Sequence, residues 1–411
     1  MNSRERFLAV LNFESGIKNL KYEYGYWAGL IRKWNKNNNL NIQEPPESLK
    51  DSDLVRVSLP LDYVINQKND YENIKDYKDN KGYQDKKSSK SSEYLDTFLM
   101  KYFNLDPYPA KFPFDLSPMF SKVILEDKDD YIVFKDNYGI TQKILKKGTS
   151  APMSIDYPIK SLKDFYDYMQ FYDKDFKKRL PENFDKLALK LKDRDYPIRL
   201  GGNPFGFCGM PRHLMGDVNY MLSLYDSPEL IKKINEFYLN FSMEYFSEIF
   251  KLIEIDWVMI WEDMAFKTGS FISKTAFEEF LTPYYVKFID FLKQFGIKNI
   301  IVDCDGLIDE LIPLWISCGV TGVFPMEAVN DLIKIRQEFP KLQMLGGVDK
   351  KILFPKDNVE SKDIDKELEM VKILLKQGGY IPHIDHAIPM DADWDRFKEY
   401  RFKLNEIIEE G

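Results

Sequence analysis

The chain has 411 residues, 44% of them hydrophobic, enough to bury a large core as one elaborated barrel or as two ordinary domains. Its 58 basic and 66 acidic residues leave a net charge of −8, a mixed surface without a basic field, which sets nucleic acid aside as a partner. The three cysteines, Cys208, Cys304 and Cys318, have no paired spacing, which fits a reducing compartment and makes a cytoplasmic location the expectation.

Met1–Arg6 leads into an amphipathic stretch rather than the apolar core of a signal peptide, and no long uncharged apolar run follows anywhere. A soluble chain with no membrane partner is expected. Residues 1–20 read as a helix, and Lys21–Trp27 has the aromatic alternation of a first strand. Residues 66–93 turn to Asn, Lys, Asp and Ser without a period, a polar insert to which no chemistry is assigned. Lys111–Leu116 reads as a second strand. Within about 120–147, three short apolar runs split by acidic and Asn-Tyr-Gly turns predict an antiparallel meander inserted in the main fold.

From Tyr196 onward strands and helices alternate. Ser227-Pro228-Glu229 supplies a cap, a first-turn proline and an acid at the positive end of a helix dipole, opening a helix to about Leu252. A second helix opens at Ser273 and runs past Pro283 toward Phe295, where Gly296 stops it. Short buried strands separated by such helices predict an α/β fold, a (β/α) barrel with parallel strands. A doubly wound open sheet is the alternative, but no strand here is followed by its glycine-rich phosphate fingerprint. The expected organisation is a single barrel domain over 1–411, carrying the 66–93 insert and the meander.

Five of the apolar runs stop at a carboxylate or a histidine: Val258–Asp263, Ile300–Asp305, Val323–Glu327, Met344–Asp349 and Tyr380–His386. In a closed barrel the strand C-termini converge on one face, so these groups are candidates for one active site. Asp303 and Asp305 share a face if the strand continues through them. Two like charges there need a counter-charge, for which a metal ion, a cationic partner or a shared proton would serve. The alternative is that Asp305 caps the next helix while Asp303 accepts ordinary hydrogen bonds. His383, Asp385 and His386 gather two of the three histidines within four residues, as a zinc or acid-base site would; packing in the barrel mouth is the bland reading.

Glu262 and Asp263 are adjacent, so one is expected to face the pocket and the other to bind backbone or a lysine such as Lys267. Glu327 and Asp349 extend the ring of acids. Gly201-Gly202-Asn203 allows a ligand to approach the backbone closely, though it is also ordinary turn chemistry. Cys304 is expected to point away from the two aspartates. None of the cysteines has the setting of a nucleophile, and no Ser-centred elbow, phosphate loop or metalloprotease His pair is present.

Asn2-Ser3-Arg4-Glu5-Arg6, Gly25-Tyr26-Trp27 with Arg32-Lys33-Trp34, Trp261–Ala265, Asp303–Gly306, Gly346–Lys350 and Gly378–Pro382 together resemble the uroporphyrinogen decarboxylase superfamily. That superfamily includes the decarboxylase and the methyltransferases that move methyl groups to or from corrinoid proteins and thiols. The resemblance covers most of the chain, is weakest in 40–100, and implies a (β/α)8 TIM-type barrel. In the family's zinc methyltransferases a His-x-Cys and a later Cys bind the metal; the matching positions here are Asp303, Asp305 and His386. Such a set departs from the thiolate pattern and would leave zinc, or another divalent metal, more electrophilic.

The decarboxylase grips its tetrapyrrole with paired arginines and an aspartate, assisted by a histidine. Asp115 and His386 match the last two, whereas of the arginines only Arg32 lies in that area, and a polycarboxylate needs several cations. The resemblance therefore implies a methyltransferase acting between a small O-, N- or S-methyl compound and a corrinoid protein, with metal assistance. The expected catalytic residues are Glu262, His383, Asp385 and Asp115. Tyr26, Trp27, Arg32, Asn203, Glu327 and Asp349 are expected to contact substrate, and self-association as a homodimer is expected by resemblance. The alternatives are a metal-free decarboxylase or lyase of the same fold, and a non-catalytic binder of a tetrapyrrole or corrinoid.

Overall fold

A computed structural model describes residues 1–40, 44–45, 51, 54–55, 97–146, 152–354 and 361–410. The polar insert at 66–93 lies outside the described residues. Seven strands form one sheet and succeed one another across it in chain order: β1 (Ala110–Lys111), β2 (Ile198–Gly201), β3 (Trp257–Trp261), β4 (Asn299–Asp303), β5 (Gly322–Met326), β6 (Gln343–Gly346) and β7 (Tyr380–Ile381). The pairings of β2 with β3, β3 with β4, β4 with β5 and β6 with β7 are parallel. Parallel neighbours need a crossover connection, and helices occupy the intervals from β2 onward. Strand order that follows chain order is the TIM-barrel pattern; a doubly wound sheet reverses at a switch point. The fold is thus α/β of the TIM-barrel class, and all five runs that end in a carboxylate or histidine are strands.

The chain divides into two compact units. One comprises Met1–Lys111, Arg194–Ile198 and Pro325–Gly411; the other comprises Phe112–Asp193 and Arg199–Phe324. In the first, the helix Ser3–Leu11 opens on a capping box between Asn2 and Glu5. It ends well short of residue 20, because Phe13 and Gly16 take positive φ values of 59° and 71°. The expected first strand over Lys21–Trp27 is also shorter. Only Tyr26–Trp27 is strand, paired antiparallel with Leu54–Val55 and outside the seven-stranded sheet.

The cause lies in where the backbone donors go. Leu20 N–H donates to Asn19 Oδ1 (2.7 Å), Lys21 N–H to Asp106 Oδ2 (2.9 Å) and Tyr24 N–H to Glu23 Oε1 (3.3 Å), so side chains replace a strand ladder. The core of this unit is aromatic. The Trp34 ring stacks on Phe397 at 5.1 Å and meets Trp394 at 5.2 Å, while its indole N–H donates to the Ala392 carbonyl (2.9 Å).

In the second unit, Trp257–Ile260 of β3 are fully buried. The helix Pro228–Phe250 starts as expected, with Ser227 as cap residue, Pro228 in the first turn and Glu229 behind it, although the Ser227 side chain makes no capping hydrogen bond. The helix expected from Ser273 to Phe295 is two helices, Lys274–Phe280 and Thr282–Gln294. They break at Leu281, where Pro283 belongs to the first turn of the second helix. Pro113 has no N–H to give, so the expected strand Lys111–Leu116 ends after the Phe112 N–H bond to Arg199 O (2.8 Å). The meander is a four-stranded antiparallel sheet in the order Val123–Asp127, Tyr131–Lys135, Thr141–Leu145, Met153–Asp156, one strand more than the sequence suggested. Among the described residues no helix is long and apolar enough to cross a membrane.

Candidate active site at the strand ends

In the first unit the groups after β5, β6 and β7 meet. The segment His383–His386 is fixed through its backbone: Val348 N–H donates to His383 O (3.1 Å), and Asp385 N–H to Val348 O (2.8 Å). Between them, Ile384 N–H donates to Glu23 Oε1 (2.9 Å). The Ile384 carbonyl lies 2.7 Å from His383 Nδ1. A carbonyl only accepts, so the imidazole proton sits on Nδ1. His383 is fully buried, and burial lowers its pKa to about 4, which keeps the ring neutral near pH 7. Gly346 makes room for it: at φ +107°, a Cβ there would stand 3.2 Å from Met326 N and O and 3.3 Å from His383 Cε1.

Asp385 is 95% buried, by its relative exposure of 5%. Its Oδ2 accepts Ala328 N–H at 3.2 Å, and the Lys350 ammonium stands 3.4 Å from Oδ1 and 3.5 Å from Oδ2. The same ammonium lies 3.4 Å from Glu327 Oε1. Burial raises the Asp385 pKa to about 6 against the opposing pull of Lys350. Lys350 loses some basicity to burial, but Asp385 and Glu327 together carry its pKa above the ordinary value. Asp349 does something else: its carboxylate accepts Lys351 N–H (2.9 Å) and so caps the turn Lys350–Leu353. His386 stacks on Tyr24, with ring centroids 4.7 Å apart and planes 27° apart.

Glu23 anchors this arrangement. It is fully buried against the equally buried Arg401; its Oε2 is 3.4 Å from Arg401 Nη1 and accepts the Tyr400 hydroxyl at 3.3 Å. Burial raises the Glu23 pKa, and Arg401 works against that shift. Of the expected substrate contacts in this unit, Tyr26 is fully buried with its ring edge-on to Trp34 and Phe397. Trp27 is half-buried. Arg32 is ion-paired with Asp51 and donates to Pro45 O (3.4 Å).

In the second unit, Glu262 follows β3 and is fully buried. Its Oε1 accepts Phe207 N–H (3.0 Å) and the Tyr285 hydroxyl (2.5 Å); its Oε2 accepts Cys208 N–H and Gly209 N–H, both at 2.7 Å. The expectation that only one of the adjacent pair binds backbone does not hold: Glu262 takes three amides, and Asp263 takes that of Asp305. Burial raises its pKa, and the Tyr285 hydroxyl and the three amides oppose the rise. Gly206 and Gly209 permit the approach, since a Cβ on either would fall within 1.9 and 2.2 Å of the Trp261 carbonyl.

Asp263 takes φ +41° and accepts Trp261 Nε1–H (2.8 Å) and Asp305 N–H (3.3 Å). Strand β4 ends at Asp303 rather than running on through Asp305, so strand alternation does not govern the Asp303–Asp305 pair. The Asp303 carbonyl accepts Glu262 N–H (2.8 Å). Cys304 is buried, and burial raises its thiol well above the ordinary range. Asn203 is exposed, and the Asp115 carboxylate accepts Ser117 N–H (2.8 Å).

The third histidine also lies in this unit. His213 packs edge-on to Tyr138 (4.9 Å) and to Trp261 (6.5 Å), and burial followed by the Arg212 charge lowers its pKa to about 4. Sequence reasoning passed over Lys350, Glu23, Arg401, Tyr285 and His213. Lys350 alone carried a local signal, as a cation next to a strand-end acid. Among the described residues no group of three or more His, Cys, Asp or Glu side chains is placed to hold a metal ion.

No curated protein matches the chain. Among solved structures it is similar to a methyltransferase from Methanosarcina mazei, with a TM-score of 0.54 and 13% identity over 98% of this chain and 99% of that one, a likeness of fold. The family model described as Uroporphyrinogen decarboxylase (URO-D) matches residues 129–401. That match takes in more than half of the chain, which belongs to the uroporphyrinogen decarboxylase family.

Proposed function

We propose that this protein is a methyltransferase of its family, passing a methyl group between a small O-, N- or S-methyl compound and a corrinoid protein. The observation that carries the reading is the Asp385–Lys350–Glu327 cluster, a nearly buried carboxyl of raised pKa held beside an ammonium at the strand ends. When a methyl group leaves an oxygen or nitrogen, the heteroatom keeps the bonding pair and takes up a proton. Asp385 retains a proton to higher pH than an ordinary aspartate and is suited to supply it, while Lys350 stabilises the carboxylate left behind.

His383, neutral and with its Nδ1 proton committed to the Ile384 carbonyl, serves as a polar wall rather than a cation. The similarity to a solved methyltransferase supports the choice of reaction class. So does Arg32, whose charge is already matched by Asp51, which disfavours a grip on a polycarboxylate tetrapyrrole.

Asp303, Asp305 and His386, expected to hold a divalent ion, do not fit one: among the described residues no three such side chains are gathered as a metal site, and this reading includes no ion there. The two acids belong to one unit and the imidazole to the other, and no step above is routed through a metal. The test is an assay of purified wild type and Asp385→Asn with a corrinoid protein and a panel of methyl donors. Methyl transfer lost in Asp385→Asn is the expected result. Release of carbon dioxide from a porphyrinogen, with no transfer from any donor, would overturn the reading.

A further inference from the structure

Lys350 supplies the positive charge of the Asp385 cluster and is its most exposed member: 32% of its side chain is exposed, against 18% for Glu327 and 5% for Asp385. A ligand that reaches the buried acid therefore meets the ammonium. An ammonium carries three N–H donors and no acceptor. Two of them point to Glu327 Oε1 at 3.4 Å and to Asp385 Oδ2 at 3.5 Å, and among the described residues the third has no acceptor. Both contacts are longer than the roughly 2.7–2.9 Å of a tight charge-assisted hydrogen bond, so its neighbours do not saturate it. Beside it, Asp385 Oδ1 is buried and has no hydrogen-bond partner among the described residues.

This geometry discriminates among O-, N- and S-methyl donors. The atom that releases the methyl group has to accept a hydrogen bond from Lys350, and an ether or alcohol oxygen does so well, whereas a thioether sulfur is a weak acceptor. A protonated or quaternary amine has no lone pair to offer, and its charge opposes that of the lysine.

The leaving groups separate in the same order. A protonated or quaternary amine departs as a neutral molecule, and a thioether departs as a thiolate, the anion of an acid of pKa about 8.5. An O-methyl compound departs as a phenoxide, the anion of an acid of pKa about 10, or as a still more basic alkoxide. Oxygen thus has the greatest need of a proton and a counter-charge, the two things that Asp385 and Lys350 hold side by side.

We propose that the methyl donor is an O-methyl compound, an ether or an alcohol, whose oxygen is bound by the Lys350 ammonium beside Asp385. The C–O bond breaks with its electron pair left on oxygen, and the methyl carbon bonds the cobalt(I) of the corrinoid protein, which is formally oxidised by two electrons. Asp385 passes its proton to the oxygen, which leaves an alcohol and a carboxylate. This inference rests on the methyltransferase reading and narrows it to one donor class.

The test is the rate of methyl transfer to free cob(I)alamin, corrected for the reaction without protein, from two matched sets of donors. One set is methanol, tetramethylammonium and dimethyl sulfide; the other is methoxybenzene, trimethylanilinium and methyl phenyl sulfide. In at least one set the oxygen compound should react about tenfold or more faster than its nitrogen and sulfur counterparts. Lys350→Met should lower the oxygen rate about tenfold or more and erase that preference, and Lys350→Arg, which keeps the charge and the donors, should retain it and so control for folding. An ammonium or sulfide that reacts as fast as the oxygen compound, or a preference that survives in Lys350→Met, would overturn this inference and leave the methyltransferase reading standing. No transfer from any of the six would overturn both.

Discussion

Glu262 and Asp385 are both carboxylates that follow a strand of the parallel sheet, and both are nearly or fully removed from solvent, yet their surroundings differ in kind. Glu262 receives three backbone N–H groups and a tyrosine hydroxyl at 2.5–3.0 Å. Asp385 receives one N–H at 3.2 Å and an ammonium no closer than 3.4 Å. The first has its lone pairs filled by the fold and ties the helix Gly209–Met215 to β3. The second keeps capacity for a ligand or a proton. A buried acid is therefore not in itself a reactive one; the number and distance of its donors separate framework from chemistry.

The sharpest way to break the comparison is to remove Glu262. Glu262→Ala strands three buried amides and a hydroxyl, and should lower stability by about 3–5 kcal/mol, read by urea denaturation. Melting like wild type would show that the amides find other partners and that the contrast is empty. Asp385→Asn should do the opposite, lowering methyl transfer by about 10²-fold or more while leaving the fold intact.

The pH dependence follows from the same shift. The folded carboxyl is raised from 3.8 to about 6, so between about pH 4 and 6 the unfolded chain releases its proton first. Stability from this group is present below pH 4 and lost as pH rises through 6. The loss is at most roughly 3 kcal/mol for about two pKa units. Asp385→Asn should lack that slope and be no less stable than wild type at pH 7, and activity that depends on the acid should fall as pH climbs through about 6.

A smaller effect is expected from Lys350. Lys350→Met removes the attraction that opposes burial, so the falling limb of the pH–rate profile should move about one unit higher, and Lys350→Arg should hold it in place. Smallest is Gly346→Ala, where the positive φ and the 3.2 Å approach to Met326 should cost about 1–2 kcal/mol. If the alanine melts like wild type, the pocket for His383 is slacker than its contacts imply.

Much of the fold was legible because burial writes itself into the chain locally. Val258–Trp261 and Ile300–Asp303 are apolar over the length of a strand, and Ser227-Pro228-Glu229 marks a helix start with adjacent residues. What stayed hidden depends on partners far apart. Glu23 and Arg401 meet across 378 positions, and nothing next to Tyr285 announces that it donates to Glu262. Lys21–Trp27 misled for a different reason: its aromatic alternation reports burial accurately, but Asn19, Asp106 and Glu23 take the backbone donors that a sheet would have used. In the candidate site the acids at strand ends were visible as residue types. Their division into saturated and unsaturated groups was not, because that depends on which amides the fold brings to each.

Ile384 lends the site a last property. Its amide hydrogen is claimed by Glu23 and its oxygen by His383, so each of the two peptide groups that separate His383 from Asp385 is held. A clamped peptide acts as a ruler. Were a ligand to bind beside Asp385, it would meet a fixed spacing there, and the long, half-exposed Lys350 stem would supply the adjustment.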